Sequence, residues 1–494
     1  MPDISLLFDT AAARSLDARV ATLLDDGGQD LMAQAGLAAW QCLLQQWPDA
    51  QRLAVVAGPG NNGGDAWVLA LHALQAGRAV VVWHLPGQHA STPLAAAAAA
   101  EYTRAGGAAE AFQGTLGPAD VIVDGLFGLG LSRAPEAAAH ALIEAINAHG
   151  APVLALDVPS GVDADRGAVS GVAVQATLTL QFIANHRGLF TGQALAHTGQ
   201  RRLAPLQWPD AAAQGLVAAA RRWSPPDLAA HLRPRHLNAH KGDSGHVLAV
   251  GGNHGSGGAL LLTTQAALRS GAGLLSLATR PEHVPAVLSR VPEAMCHGLD
   301  AVPALAPLLA RASVLAIGPG LGQDQWASSL WQQARGSGLP LVVDADALNL
   351  LAQSPQPLAD AVLTPHPGEA ARLLGCSSAE VQADRFSAVR VLAERYACTV
   401  VLKGAGTLVA APGELTALIA AGNPGMAVGG MGDLLTGVIA ALRAQGMGAF
   451  QAAACGALLH AAAGDLAATD GQRGLLPTDL LAPLRRLCNP GSTP

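Results

Sequence analysis

Arg52–Trp83 reads RLAVVAGPGNNGGDAWVLALHALQAGRAVVVW. Its first six residues form a short apolar run, as a buried strand requires. Gly58–Asp65 then breaks the run, Ala66–Ala76 carries apolar residues at helical spacing, and Ala79–Trp83 is a second strand. Strand, glycine-rich turn, helix and strand make the βαβ unit of a doubly wound α/β sheet. The GxGxxG dinucleotide fingerprint is absent, because Asn61-Asn62 occupies the turn. Two adjacent amide side chains offer carbonyl oxygens to a hard cation or to sugar hydroxyls. The plainer reading is that Asn and Gly only form the turn.

Working outward, residues 11–47 are predicted helical. Two further strands follow Trp83. Asp120–Asp124 runs into DGLFGLGLSR (Asp124–Arg133), and Val153–Leu156 runs into DVPSGVD (Asp157–Asp163). Sites of open α/β sheets gather at the carboxyl ends of strands, so Asn62, Asp124, Asp157 and Ser160 are expected on one rim. Periodicity weakens between Trp208 and Asn238, where Pro225-Pro226 sits in a basic stretch, and a domain boundary is placed near residue 222 (domains 1–222 and 223–494).

A second α/β sheet is expected from His246–Val250 onward, with further strands at Gly273–Ala278, Ser313–Ile317, Leu341–Val343, Ala361–Leu363 and Cys398–Leu402. The last ends in Lys403-Gly404-Ala405-Gly406-Thr407, a lysine and glycines at a strand end suited to phosphate, though without Walker spacing. Asp344, Asp346 and Asn349 either reach a Mg²⁺–phosphate group or cap a helix. His366, held between two prolines, is a candidate ligand contact or a surface histidine; His460 is left unassigned as a core residue. In GNPGMAVGGMGDLLTG (Gly422–Gly437) a helix is predicted to start near Asp433, behind Gly425, Gly429, Gly430 and Gly432. Free N–H groups there suit a phosphate. Asp433 reads either as an N-cap or as a base beside the anion site.

The chain has 494 residues, half of them hydrophobic, 3% aromatic, with 57 glycines and a net charge of −7. This is a globular composition packed with small residues, and it carries no basic footprint for nucleic acid. No basic leader opens the sequence, and the longest uncharged runs fall short of a membrane span, so a cytoplasmic protein with no membrane partner is expected. Six scattered cysteines without a CxxC pair suggest neither a zinc site nor a disulfide frame.

GPGNNGGD, DGLFGLGLSR and DVPSGVDAD together resemble the epimerase domain of the NAD(P)H-hydrate repair enzymes, over roughly residues 10–205. The resemblance implies a Rossmann-like domain in which Asn62, Asp124 and Ser160 hold potassium. It further implies that Asn61, Asn62, Gly63, Gly64, Asp65, Gly128, Leu129, Gly130, Leu131, Ser132, Arg133, Ala134 and Asp157 bind the hydrated nicotinamide nucleotide, Asp157 being the acid/base. Ala66, where the family usually has Gly, is expected to crowd the nucleotide, and Leu129 replaces a commoner small polar residue. KGDSGHVLAVGG, IGPGLG, VVDADALN, TPHPGEA, KGAGT and GNPGMAVGGMGD, in that order, resemble the ADP/ATP-dependent NAD(P)H-hydrate dehydratase domain, a ribokinase-like fold, over about residues 235–490. That implies contacts of Ala259, Gly320, His366 and Asp433 with the hydrate, and of Lys403, Gly404, Ala405, Gly406, Thr407 and Gly432 with ADP or ATP carrying Mg²⁺. Val428 replaces a common Thr without expected effect. The reading is a bifunctional isomerase and lyase, ADP being the favoured nucleotide and a homo-oligomer the expected assembly. A kinase acting on a vitamin-like alcohol, or an N-terminal half retained only as a binding module, are the alternatives.

Overall fold

The computed structural model describes residues 4–24, 28–130, 133–300 and 305–490, and the chain divides into two compact units, Met1–Arg221 and Arg222–Pro494. The first contains β1 (Leu6–Phe8), β2 (Arg52–Ala57), β3 (Ala79–His84), β4 (Ala108–Ala111), β5 (Val121–Gly125), β6 (Val153–Leu156), β7 (Leu178–Phe182), β8 (Asn185–His186) and β9 (Gln200–Ala204). Seven of these form a parallel sheet in the order β4-β3-β2-β5-β6-β7-β9. The order reverses between β2 and β5, so the carboxyl ends of these two strands flank a crevice, the usual ligand position in such sheets.

Successive residues of β2 point to opposite faces, and both faces are covered. Leu53 and Val55 pack with Trp40, Trp67 and Leu69 on one side, while Ala54 and Val56 pack with Leu142, Ile143 and Ile146 on the other. The result is three layers, with central strands apolar on both faces.

The helix after β2 begins at Asn61, five residues earlier than its apolar spacing suggests, and runs to Gln75 with Gly60 as its N-cap. GNNGGD is therefore its first turn. Gly63 and Gly64 are there for close packing: a Cβ on Gly63 would lie 1.9 Å from the Gly58 carbonyl oxygen, and one on Gly64 would lie 2.4 Å from Met32 Cε. The predicted helical stretch 11–47 is two helices, Thr10–Leu24 and Gln29–Gln46, the second opened by Gly28 at φ 89°.

After β10 (Ala220–Trp223) at the junction, the C-terminal unit holds β11 (His246–Val250), β12 (Leu274–Thr279), β13 (Met295–Gly298), β14 (Val314–Ile317), β15 (Leu341–Val343), β16 (Ala361–Leu363), β17 (Thr399–Leu402), β18 (Leu408–Ala410) and β19 (Ala417–Ile419). Strands β13-β12-β11-β14-β15-β16-β17 are parallel, and β18 and β19 extend that edge antiparallel. Helices Gly257–Arg269, Met431–Ala444 and Ala449–Ala467 pack closely because small residues face each other. A Cβ on Gly437 would lie 2.1 Å from the Thr263 carbonyl oxygen, and one on Gly456 2.8 Å from Ile439 Cγ1. Ala449–Ala467 is long and apolar enough to cross a membrane, yet Ala452–Gly464 is buried inside this unit, as a core helix would be. All six cysteines are free.

Two candidate active sites

In the N-terminal unit, Asp124 is the penultimate residue of β5 and is fully buried. Its carboxylate accepts from Ser160 Oγ at 2.6 Å, Ser160 N at 2.8 Å and Leu126 N at 3.2 Å. Burial pushes its pKa up to about 6 despite these donors. Ser160 Oγ in turn accepts from Phe127 N at 2.8 Å, and Asn62 Nδ2 donates to the Phe127 carbonyl at 3.0 Å. Asn62 Oδ1 is then left buried with no protein partner. The carbonyl can only accept, so the amide orientation is fixed, and the orphaned atom is the acceptor. Asn62, Asp124 and Ser160, expected together from their strand-end positions, thus form one connected cluster.

Beside it lies a cleft of about 830 Å³ lined by Asn61, Asn62, Asp65, Gly128, Leu129, Gly130, Arg133, Ala134 and Asp157. Leu131 and Ser132 lie outside the described residues. Asp157, the first residue after β6, has φ 62°, a left-handed conformation uncommon outside glycine. His186, which the sequence motifs did not flag, places Nε2 2.7 Å from Asp157 Oδ1 and is 2% exposed. Burial alone would lower its pKa, but the adjoining Asp157 carboxylate outweighs this and holds it above the ordinary value. Asp17, from the first helix, also lines the cleft and is pushed up to about 6 by burial and by Asp157. Burial and Asp157 likewise hold Asp65 well above the carboxylate range. Burial and the neighbouring acidic groups thus raise two carboxyls of this cleft, Asp17 and Asp65.

Ala66 does not crowd this cleft. It is fully buried, and its methyl lies over Gly125, where an added Cβ would come within 2.6 Å of Ala66 Cβ. The helix starts early enough to turn position 66 onto the sheet and away from the rim.

In the C-terminal unit, Asp433 is no N-cap. Gly430 (φ 96°) holds that position, and Asp433 is the third residue of helix Met431–Ala444, without a capping hydrogen bond. Of the four glycines preceding Asp433, only Gly430 has positive φ. Burial, then the neighbouring Asp344 and Glu369, push Asp433 up to about 7, with Lys403 opposing. Asp344, at the end of β15, does not cap its helix with its side chain either. One of its oxygens takes Lys403 Nζ at 2.7 Å and the other Thr436 Oγ1 at 2.8 Å. Lys403 Nζ also lies 3.8 Å from buried Glu369. Gly432 is close to the same ammonium, for a Cβ there would come within 3.2 Å of it.

Thr263 Oγ1 reaches both the Ala259 carbonyl, at 3.1 Å, and the Asp433 carbonyl, at 3.0 Å. Gly320 (φ 58°) sits where a Cβ would come 3.3 Å from Ala259 Cβ. Ala259, Gly320, Gly432, Asp433 and Lys403 are thereby brought to one rim. The base of the Lys403–Thr407 loop is tied down by buried Arg385, whose Nη2 donates to the Leu402 and Lys403 carbonyls, both at 3.3 Å. His366 is half-exposed and caps helix Pro367–Leu374, its Nδ1 accepting from Gly368 N at 3.0 Å while Glu369 Oε2 accepts from His366 N at 2.7 Å. Asp346 accepts from Gly322 N at 2.8 Å and Asn349 Oδ1 from Arg372 Nε at 2.9 Å, so the first braces a loop and the second ties helix Ala345–Gln353 to helix Pro367–Leu374.

Replacing Lys403 by Met strands the buried Asp344 and Glu369 carboxylates without their cation. The expected cost is about 3–5 kcal/mol of stability in the C-terminal unit, read from the denaturation midpoint. The loss should shrink as pH falls and the stranded carboxylates take up protons.

Residues 247–486 match the family described as NAD(P)H-hydrate dehydratase, and residues 28–188 match the YjeF-related protein N-terminus. The bifunctional NAD(P)H-hydrate repair enzyme Nnr of Coxiella burnetii is 46% identical over 99% of this chain and 100% of its own length. Its Escherichia coli namesake is 44% identical over 94% of this chain and 90% of its own. Among solved structures, a ribokinase-like superfamily protein from Enterococcus faecalis matches at 30% identity and a TM-score of 0.51, over 54% of this chain and 95% of its own. The identity of the two Nnr relatives over nearly the whole chain places it: it belongs to the family of bifunctional NAD(P)H-hydrate repair enzymes.

Proposed function

We propose that the two rims divide the family's repair chemistry between them. Hydration of the nicotinamide 5,6 double bond gives R and S epimers at C6. The N-terminal site interconverts these, and the C-terminal site removes water from the S form at the expense of a nucleotide. The observation that carries this reading is Asp433, a carboxylate raised to about 7 beside a helix N-terminus and a buried lysine pair.

Hydroxide leaves poorly, so the C6 hydroxyl is first phosphorylated. Asp433 takes its proton as the oxygen attacks the terminal phosphorus of Mg²⁺-bound ADP (or ATP), and AMP (or ADP) departs. The ring nitrogen lone pair then expels phosphate, and loss of the C5 proton restores the double bond. The Gly429–Gly432 amides face the transferred phosphoryl group, while Ala259, Gly320 and His366 hold the hydrate. The loop Lys403–Thr407 and Gly432 hold the adenine nucleotide, with Lys403 fixing the loop through Asp344. ADP is the preferred donor.

Epimerisation inverts a carbinolamine carbon. Whether C6–O or C6–N1 breaks and reforms, one group must take a proton and return it, and Asp157 at the cleft is that group. Asn61–Asp65 and Gly128–Ala134 hold the nucleotide. Potassium fits the neighbouring cluster, because Asn62 Oδ1 is an orphaned buried acceptor and Asp124 a buried carboxylate whose three hydrogen-bond donors are neutral. Asn62, Asp124 and Ser160 would hold the ion, which would supply positive charge next to the loop carrying Asp157. Replacing Asn62 by Ala should abolish any difference between potassium-containing and potassium-free buffer and lower epimerase activity to the potassium-free rate. Equal potassium activation in the variant would remove Asn62 from the ion's ligands.

The protein works in the cytoplasm, as a homo-oligomer, on small molecules and without nucleic acid or membrane. The reading is tested by absorbance recovery from a mixed R,S NADH-hydrate sample with ADP, Mg²⁺ and K⁺. Complete recovery, well above spontaneous epimerisation, with free phosphate as product, is expected. A stable phosphorylated hydrate would instead mark a kinase.

A further inference from the structure

Among the buried ionisable groups of the epimerase cleft, His186 is left unused by the mechanism above. His186 lies on the two-residue strand β8, just past the carboxyl end of β7, and its backbone N donates to Gln181 Oε1 at 2.7 Å. Gln181 Nε2 donates to Asn185 Oδ1 at 3.1 Å, so one glutamine amide holds both residues of the strand. The imidazole is buried, with Nε2 on Asp157 Oδ1, and its Nδ1 is buried without a partner. Leaving a buried polar atom unpaired costs about 1–3 kcal/mol. Asp157 in turn is held in a left-handed conformation, and strain of that kind collects at functional positions.

We propose that His186 is a positioning residue for epimerisation: it orients Asp157 through Nε2 as that carboxylate's hydrogen-bond partner, leaving the second Asp157 oxygen for the C6 hydroxyl. The inference rests on the epimerase reading of this cleft. The proton balance is simple. The proton that Asp157 removes from the substrate rests on its second oxygen while His186 Nε2 keeps donating to the first, and it is returned when the centre has inverted, so the pair ends as it began. The charged groups acting on His186 are Asp157, Asp17 and Asp165, all acidic, and Asp157 and Asp17 also act on Asp65 in helix Asn61–Gln75. They favour the imidazolium, so the partner should be lost only as pH rises through a value above the ordinary 6.5.

The test uses the full chain, because dehydration of the S epimer reports on folding independently of the first cleft. Regain of NADH from purified R epimer is followed from about pH 6 to 9 for wild type, His186→Gln and His186→Lys. His186→Gln keeps a donor but no titration, and is expected to lose about 10–100-fold in R turnover and the alkaline limb of the profile, with S dehydration unchanged. His186→Lys should recover most of the rate and move that limb upward. R turnover and pH profile unchanged in His186→Gln would overturn the proposal, as would equal losses in both variants with the wild-type profile retained. No acceleration by wild type itself would overturn the epimerase reading and this inference together.

Discussion

Asp433→Asn should reduce dehydration of the S epimer by roughly 10²–10⁴-fold, the span usually attributed to one general base. The substitution is nearly isosteric, and Asp433 makes no capping hydrogen bond whose loss would unfold the helix. Nucleotide affinity should therefore hold, which equilibrium binding of ADP would check. The pH profile gives a second readout. With the carboxyl raised to about 7, only the ionised fraction works, so kcat/KM should fall about tenfold per pH unit below 7 and level off above it. In the asparagine variant that limb should vanish. Turnover within a few-fold of wild type would remove Asp433 from the chemistry.

Asp157→Asn should be equally severe in the other half, and more easily isolated. The amide keeps the shape beside His186 but cannot hold a proton and return it. Epimerase rates should drop roughly 10²–10⁴-fold, to the floor set by spontaneous epimerisation. In the mixed-hydrate assay, absorbance should rise quickly to the S fraction and then creep. A full, fast recovery would clear Asp157 of its role. Because absorbance is regained only through dehydration, combining the two substitutions in one chain should abolish the fast S phase as well as the R phase.

Much of both sites can be read from strand ends. Asn62, Asp124, Asp157 and Ser160 follow β2, β5 and β6, and parallel strands deliver their carboxyl ends to one edge whatever the intervening helices do. His186 obeys the same rule after β7, but its strand has two residues and lacks a glycine-rich turn to mark it. Asp17 carries no local signal at all, for it reaches the cleft from a helix of otherwise ordinary composition. In the C-terminal unit Asp433 and Lys403 stand out, whereas Glu369 and Thr436 become significant only once burial brings them to Lys403 and Asp344. The capping reading of Asp433 fails for a reason no spacing encodes, the left-handed turn at Gly430, which starts the helix three residues early. The concern over Ala66 fails likewise, since one extra helical turn decides which way its methyl points.

The stacked backbone at the first rim bears on how sequence drift should be interpreted. A Cβ on Gly58 would lie 1.8 Å from the Leu126 carbonyl oxygen, and one on Gly63 1.9 Å from that of Gly58, whereas Gly60 and Gly130 face open space. Steric exclusion alone therefore forbids every replacement at 58 and 63, with or without a substrate to recognise. At 60 and 130 the polypeptide itself imposes no such veto, and both line the cleft. Among descendants that had lost epimerase activity, positions 60 and 130 should diversify while 58 and 63 stay frozen. Invariance at the first pair of positions is a record of architecture; invariance at the second is a record of selection by the ligand.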